Sequence, residues 1–403
     1  MNRELLNKYT ELYKKDLFEK VIPFWYEHGL DKENGGMDTC LTREGIVYSD
    51  EKSVWMQGRA GWTFSFIAKE LEDDPRLREM AKSSLDFAKD FCTDRDGRMF
   101  FLVYRDGRPI RKRRYNASEK TYIRASAEYY GLTGDEKYLD EARRVFDLVM
   151  TIEKDSSKDP YKVTPKYVPG SLPRSRGLCP SFVMLETAMC MKHNDPERAN
   201  YYDSIARESF DNIFKYQWNE EHGILLESVG INGEYLGDLS SGRTVLPGHC
   251  LEAIWTLLDA AEDFDCLDEK LVDIEKYYDA TYKYGWDDEY GGFLYFVDAD
   301  GYPPQAYEHD MKLWWVHTEG VISALKLYRI TGKQKYWDDF ERLHRYCFDH
   351  FRDEQYGEWY GYLRRDGRPT LPVCKGNVFK GPLHVPRMYA VALLEFRRIA
   401  KKG

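Results

Sequence analysis

Cysteine is scarce in this chain, with eight in 403 residues and no two spaced as CxxC. That density excludes the disulfide framework of a small secreted fold and reads as reduced, mostly buried thiols of a cytosolic protein. Long apolar runs are missing as well. No stretch approaches the length of a membrane span, and the opening MNRELLNKYTELYKK is an amphipathic helical start without a signal-peptide core. Positive charge is in deficit: 59 Lys plus Arg stand against 69 Asp plus Glu, a net charge of −10. A globally acidic chain is a poor nucleic-acid binder. There is no Walker A or GxGxxG signature, and no HExxH or comparably tight ligand spacing marks a metal site.

Aromatic residues, by contrast, are abundant. The 31 Tyr, 20 Phe and 10 Trp make up 15% of the chain. Aromatics can fill a large core, but Tyr and Trp carry polar tips that need partners, and a cleft that stacks on sugar rings uses both properties. The apolar and charged fractions, 42% and 32%, are those of an ordered globular protein.

One phrase recurs along the chain. An acidic residue is followed by Gly, a stretch of aromatic or β-branched residues, and a second Gly turn. It reads DKENGGMDTCLTREG from Asp31, DDEYGGFLYFVDADG from Asp287 and DEQYGEWYGYLRRDG from Asp353, with looser copies from Asp94 and Asn219. Each predicts a short β-hairpin. From 31 to 94 is 63 residues, from 94 to 219 is 125, and the remaining steps are 68 and 66. Since 125 is close to twice 63, a degenerate copy belongs near position 155, where the proline-rich segment Asp155–Gly177 stands in for the hairpin. Between hairpins the pattern is helical, as in Leu251, Ile254, Trp255 and Leu258. Six units of two helices and a hairpin bury their faces only by stacking on neighbours. The expected fold is all-α: one domain over residues 1–403, an (α/α)6 barrel with the hairpins gathered at the active-site end. An open solenoid of the same units is the structural alternative.

The repeat also aligns polar residues. Counting about 30 residues from each hairpin start reaches Arg59, Arg124, His249, His317 and His384. In a closed ring these converge on the barrel mouth. Glu252 follows His249 by three residues and Arg387 follows His384 by three, so each pair shares a helical face. Glu319 lies in MKLWWVHTEGVISALKL, a helix apolar nearly all round, where a buried carboxylate must have a partner or a raised pKa. Arg59 lies between Trp55 and Trp62. The remaining histidines, His28, His193, His222, His309, His344 and His350, read as packed or surface residues. The basic run Arg105–Arg114 reads as a solvated loop, with an anion or nucleotide site as the sharper alternative.

Two histidines across an aromatic cavity suit acid–base work near neutral pH, and carboxylates such as Glu252 and Glu319 can fix their tautomers. An Arg in the same pocket stabilises the oxyanion that forms when a carbon next to a carbonyl loses its proton. That kit fits proton abstraction alpha to a carbonyl. It fits glycoside hydrolysis less well, because that reaction centres on two carboxyl groups.

In the phrases VWMQGRAGW (54–62), PGHCLEAIW (247–255), GWDDEYGGFLYFVDADG (285–301), MKLWWVHTEG (311–320), YGEWYGYLRRDG (356–367) and FKGPLHVPR (379–387) the chain resembles the N-acylglucosamine 2-epimerase family. The resemblance implies the (α/α)6 barrel and interconversion of N-acetylglucosamine with N-acetylmannosamine without a metal. It places the two catalytic histidines on His249 and His384, and substrate-binding positions on Arg59, Glu252, Glu319 and Arg387. His317 is added as an aid to the enediolate, with Trp55 and Trp315 as stacking walls. It further implies ATP as an effector rather than a reactant, and a homodimer in the cytosol. Related cellobiose 2-epimerases and mannose isomerases share the barrel and the two outer histidines. The His of WWVHTEG favours the N-acylhexosamine branch, and Val316 stands where the family pattern has Pro.

Overall fold

The computed structural model describes residues 3–112, 116–160 and 174–402. Twelve long helices order these residues: α1 (Arg3–Asp16), α2 (Val54–Glu70), α3 (Pro75–Phe91), α4 (Ala117–Thr133), α5 (Glu136–Lys154), α6 (Leu178–Asn194), α7 (Ala199–Tyr216), α8 (Pro247–Asp263), α9 (Leu267–Gly285), α10 (Trp314–Thr331), α11 (Gln334–His350) and α12 (His384–Lys402).

The even-numbered helices touch one another in sequence, α2 to α4 to α6 to α8 to α10 to α12, and α12 returns to α2. That closes an inner ring and rules out the open solenoid. Each odd-numbered helix covers the inner helix before it, and α1 covers α12, so the first helix completes the outer ring. The burial patterns explain the sorting. In α10 every residue from Trp314 to Leu327 is buried, as a helix enclosed on all sides requires. In α11 the buried residues are Tyr336, Trp337, Phe340, Leu343, Tyr346 and Cys347, a single stripe at helical period with solvent opposite. Local signals set the boundaries: Asp74 caps α3 by accepting from the Arg76 N–H at 2.9 Å, with Pro75 in the first turn. Gly58 of α2 lies so close to α4 that a Cβ there would meet the Thr121 backbone at 2.6 Å.

The hairpin phrases outside the proline-rich segment form tight turns closed by isolated bridges or by strands of two or three residues; the first, from Asp31, has only the bridges Leu30–Met37 and Leu41–Val47. In the fourth, Gly291 and Gly301 take φ of +73° and +80°, the left-handed region that the two turns need. Neighbouring units are stitched in one way. The strand leading into an inner helix pairs with a strand of the next hairpin, as Glu51–Ser53 does with Leu102–Tyr104 and Lys312–Leu313 with Tyr362–Leu363. A buried lysine and an arginine from the following hairpin meet the leading aspartate. Asp31 takes Lys52 at 2.7 Å and Arg105 at 2.9 Å, and Asp287 takes Lys312 at 2.8 Å and Arg365 at 2.9 Å. Asp353 takes Lys375 at 2.9 Å and Arg43, from the first hairpin, at 2.7 Å. The last repeat thus joins the first by the contact used within the chain.

The same pairing accounts for the basic run from Arg105. Arg105 is spent on Asp31 and Asp38, Arg108 on Asp106, and Lys112 on Asp94 and Asp96. Its last two residues, positions 113 and 114, lie outside the described residues. So does most of the proline-rich segment, from position 161 to 173; at its far end Ser175–Gly177 rejoins the pattern by pairing with Ser228–Gly230.

Candidate active site

At the hairpin end the inner helices enclose a cavity of about 440 Å³, within the range of a small-molecule site. It is lined by Trp55, Arg59, His249, Glu252, Trp315, His384 and Arg387, seven of the nine residues singled out from the sequence. A second cavity of about 490 Å³ opens toward the opposite end of the barrel. Trp62, Arg124, Glu186 and Arg387 line both, so this layer plugs the bore.

His384 opens α12 and is 4% exposed. Its Nδ1 donates to Glu319 Oε1 at 2.8 Å, which leaves Nε2 as the lone-pair nitrogen. Burial, with the nearby Arg387 and Arg59 cations, holds its pKa well below 6.5, so the ring is neutral. Glu319 does not reach the cavity. It lies beneath, fully buried, and also accepts from Arg387 Nη2 at 2.7 Å and Trp255 Nε1 at 2.7 Å. The partner demanded by its apolar helix is therefore a pair of donors and a histidine.

His249 sits in the first turn of α8, and its carboxylate partner is Glu227, not Glu252. Nδ1 of His249 donates to Glu227 Oε2 at 2.9 Å. Burial by itself would depress this pKa, but the Glu227 charge outweighs it and the pKa is raised well above 6.5. The two histidines are thus held in opposite states, one neutral and one protonated. Between them stands Trp315, its ring centroid 5.3 Å from His249 and 5.7 Å from His384.

Glu252 instead accepts from Arg387 Nη2 at 2.9 Å. Glu252, Glu319 and His384 have ligand atoms within 4.8 Å of one another, close enough to share a metal ion. The Arg387 guanidinium already contacts all three and supplies positive charge at that point. Arg59 lies over the Trp55 ring at 4.4 Å. Burial lowers its pKa to about 10, so it stays cationic at neutral pH, and it has no ion-pair partner among the described residues. Trp55 is fixed in turn by its Nε1 donating to Val378 O at 3.0 Å.

His317 is the exception. It is fully buried away from the cavity, with Nδ1 donating to Leu313 O at 2.7 Å and Nε2 accepting from the Phe293 N–H at 2.9 Å. Burial drops its pKa to about 3. The helix gives the physical reason. Trp315 faces the cavity, and two residues on the side chain has turned by about 200°, into the packing of Phe293, Tyr346 and Phe351. Both ring nitrogens are used, so His317 is a packing element and not an aid to an enediolate.

The aromatic excess divides in the same way. Trp62, Trp314, Tyr295 and Tyr362 join Trp55 and Trp315 on the cavity wall, whereas Phe293 and Trp359 are core. Two site acids escaped the sequence reading. Glu227 belongs to a hairpin 22 residues before its histidine, and no spacing signals it. Glu186 is the single carboxylate of the apolar helix α6 and pairs with Arg124; the rule that flagged Glu319 applies to it equally. Burial and the charge of Glu252 outweigh Arg124 and raise the Glu186 pKa.

A helical barrel with a neutral and a protonated histidine over an aromatic floor defines a class: an isomerase of the sugar-epimerase type. The sequence comparisons agree with it. The profile of the N-acylglucosamine 2-epimerase (GlcNAc 2-epimerase) family matches residues 35–379. The N-acylglucosamine 2-epimerase of Bos taurus is 34% identical over 393 residues, covering 96% of this chain and 91% of its own. A cellobiose 2-epimerase of Eubacterium cellulosolvens is 24% identical, covering 94% and 96%. The solved structure of a cellobiose 2-epimerase from Bacillus thermoamylovorans superimposes with a TM-score of 0.83 at 19% identity, covering 96% of this chain and 99% of its own, and shows the shared fold. The chain belongs to the N-acylglucosamine 2-epimerase family.

Proposed function

We propose that the protein interconverts N-acetylglucosamine and N-acetylmannosamine by moving the proton at C2 of the open-chain sugar. The observation that carries the chemistry is the opposed protonation of His384 and His249 in one cavity. In the resting state Nε2 of His384 takes the C2 proton while Glu319 holds its Nδ1–H and so supports the imidazolium that forms. Negative charge moves to the carbonyl oxygen, where Arg59, a cation without an ion-pair partner among the described residues, receives it. The His249 imidazolium then returns a proton to the other face of C2, inverting it. Proton exchange with water restores the starting state. The substrate is assigned from the family: relatives named N-acylglucosamine 2-epimerase are 33–34% identical, the cellobiose enzymes 24%.

A glycoside-hydrolase reading is disfavoured by the carboxylates themselves. Glu252 and Glu319 share one guanidinium group, and Glu319 is sealed from the cavity. Turnover of N-acetylmannosamine in heavy water, beside mannose and cellobiose, tests the proposal. Product carrying deuterium at C2, abolished in His249→Ala and His384→Ala, is expected; product without deuterium, or full activity in either variant, overturns it.

The remaining assignments rest on the resemblance. Residues 1–403 act as one catalytic domain, a reading supported by the closure of α12 against both α1 and α2. Metal takes no part, in keeping with the role of Arg387 among the three possible ligands. ATP acts as an effector, and the enzyme is a cytosolic homodimer. The eight free thiols suit a reducing compartment. No helix among the described residues is long and apolar enough to cross a membrane.

A further inference from the structure

Two cavities meet at one layer of side chains. The catalytic cavity of about 440 Å³ and the lower cavity of about 490 Å³ are both lined by Trp62, Arg124, Glu186 and Arg387. Of these four, Glu186 is the one whose proton can come and go near neutral pH. The reaction as drawn above gives it no part, yet it fronts both spaces. The lower cavity reaches solvent, since His193, Asp263 and Arg398 on its wall are exposed.

The hydrogen bonds of Glu186 allow it to hold a proton. One carboxyl oxygen, Oε2, accepts from Arg124 Nη1. The other, Oε1, stands 3.2 Å from Thr256 Oγ1, and of the two cavities Thr256 lines the lower. Thr256 has a single hydroxyl hydrogen, and at 2.8 Å the backbone O of Glu252 is its nearer acceptor. With that hydrogen spent there, the Thr256 oxygen can accept from a protonated Glu186. Burial raises the Glu186 pKa, in keeping with a carboxyl that passes through its neutral form. In the same layer, Nε of Arg124 and Nε of Arg387 have no protein acceptor among the described residues, so water is what can satisfy them.

Each inversion leaves His384 protonated and His249 neutral, the wrong states for the next sugar of the same kind. One proton must leave the catalytic cavity and one must enter it. We propose that Glu186 carries both across the plug and so resets the two histidines between turnovers. A proton released by His384 protonates the carboxylate from the upper side and leaves to water below. A proton from that water then passes upward by the same carboxyl to His249. Each passage breaks one N–H or O–H bond and makes another, and water is the only co-reactant. This role rests on the epimerase reading of the cavity and deepens it, from the inversion itself to the step that readies the enzyme for the next one.

The test is rapid-quench turnover of N-acetylmannosamine by Glu186→Gln, which keeps the length and the hydrogen bonds of the neutral carboxyl but carries no proton. The first turnover should keep the parent rate and give a burst of product equal to the enzyme present. The steady state that follows should fall by about 10²-fold, the lower end of what a positioned proton carrier contributes. Added formate, a small proton carrier, should speed the slow phase. A steady state equal to the parent's overturns the relay. So does a first turnover slowed along with it, which would make Glu186 a support for Arg124. A slow phase indifferent to formate overturns it too, because product release would then be the slow step. Circular dichroism checks the fold; if the Gln variant is unfolded, Glu186→Met, which also carries no proton, takes its place. Should the parent protein not turn over N-acetylmannosamine, the proposed function falls instead, so the two failures are told apart.

Discussion

Glu227 on a hairpin and His249 at the start of α8 are joined by a 2.9 Å hydrogen bond from Nδ1 to Oε2, and this contact keeps a half-buried imidazole protonated. Removing the charge and keeping the shape tests it. In Glu227→Gln the largest charge opposing burial is gone, leaving only Cys179 against it, and the His249 pKa falls. The variant should lose about 10²–10⁴-fold in kcat, the span of general acid–base catalysis, with activity recovering toward acid pH. An unchanged pH profile would show that Glu227 does not act through His249.

The parent pH profile should be a broad bell. Activity needs His384 neutral and His249 protonated. Because the His384 pKa is lowered, the acid limb lies below pH 6.5, where falling pH protonates the base. Because the His249 pKa is raised, the alkaline limb lies above 6.5, where rising pH removes the acid. Measuring kcat/KM from pH 4 to 10 (about the usable range of simple buffers) reports these free-enzyme values. A maximum confined to a narrow band around pH 6.5 would contradict the assignment.

Arg59→Met removes a cation with no ion-pair partner among the described residues. Its effect should fall mainly on kcat, by about 10²–10³-fold, as expected for one oxyanion-stabilising donor. A pure rise in KM would instead make Arg59 a ground-state binding residue.

Ring closure should be costly to break. Asp353→Asn leaves Lys375, which is fully buried, and Arg43 without their carboxylate. Losing one partner of a buried pair typically costs about 3–5 kcal/mol. A clear fall in Tm by calorimetry is expected; a change within about 0.5 kcal/mol, the size of a neutral surface substitution, would show the closure to be held elsewhere.

His317→Gln should keep kcat within a few-fold, since the side chain does not reach the cavity. Its readout is stability. The native pKa of His317 is about 3, against about 6.5 in the unfolded chain. The unfolded state therefore binds the proton first, and stability falls as pH drops from 6.5 toward 3, by up to about 1.4 kcal/mol per unit. Gln, with one donor and one acceptor but no titration, should flatten that acid limb in pH-dependent denaturation.

Much of the site was legible because it repeats. A hairpin of fixed design sets where each inner helix begins, so counting from the hairpins brought Arg59, Arg124, His249 and His384 to one end of the barrel. The same counting misplaced His317. Hairpins vary in length by a residue or two, and one residue is 100° of helical rotation, enough to swing a side chain from the cavity into the core. The partners were harder still to read. Glu252 has helical spacing to His249 but pairs with Arg387, 135 residues away, because α8 and α12, two places apart in the inner ring, both turn side chains into its centre.

The sequence alone determined the period of about 65 residues, the alternation of hairpin and helix, and the residue types of an acid–base pocket. These are local properties, written in turn chemistry and in the spacing of apolar residues. The tertiary structure decided that the ring closes, through Arg43 and Asp353 at one seam and α1 against α12 at the other. It also decided the charge states of the two histidines. Each depends on which carboxylate or guanidinium the barrel places beside the ring, and on how completely water is excluded there, and both follow from packing between helices far apart in the chain.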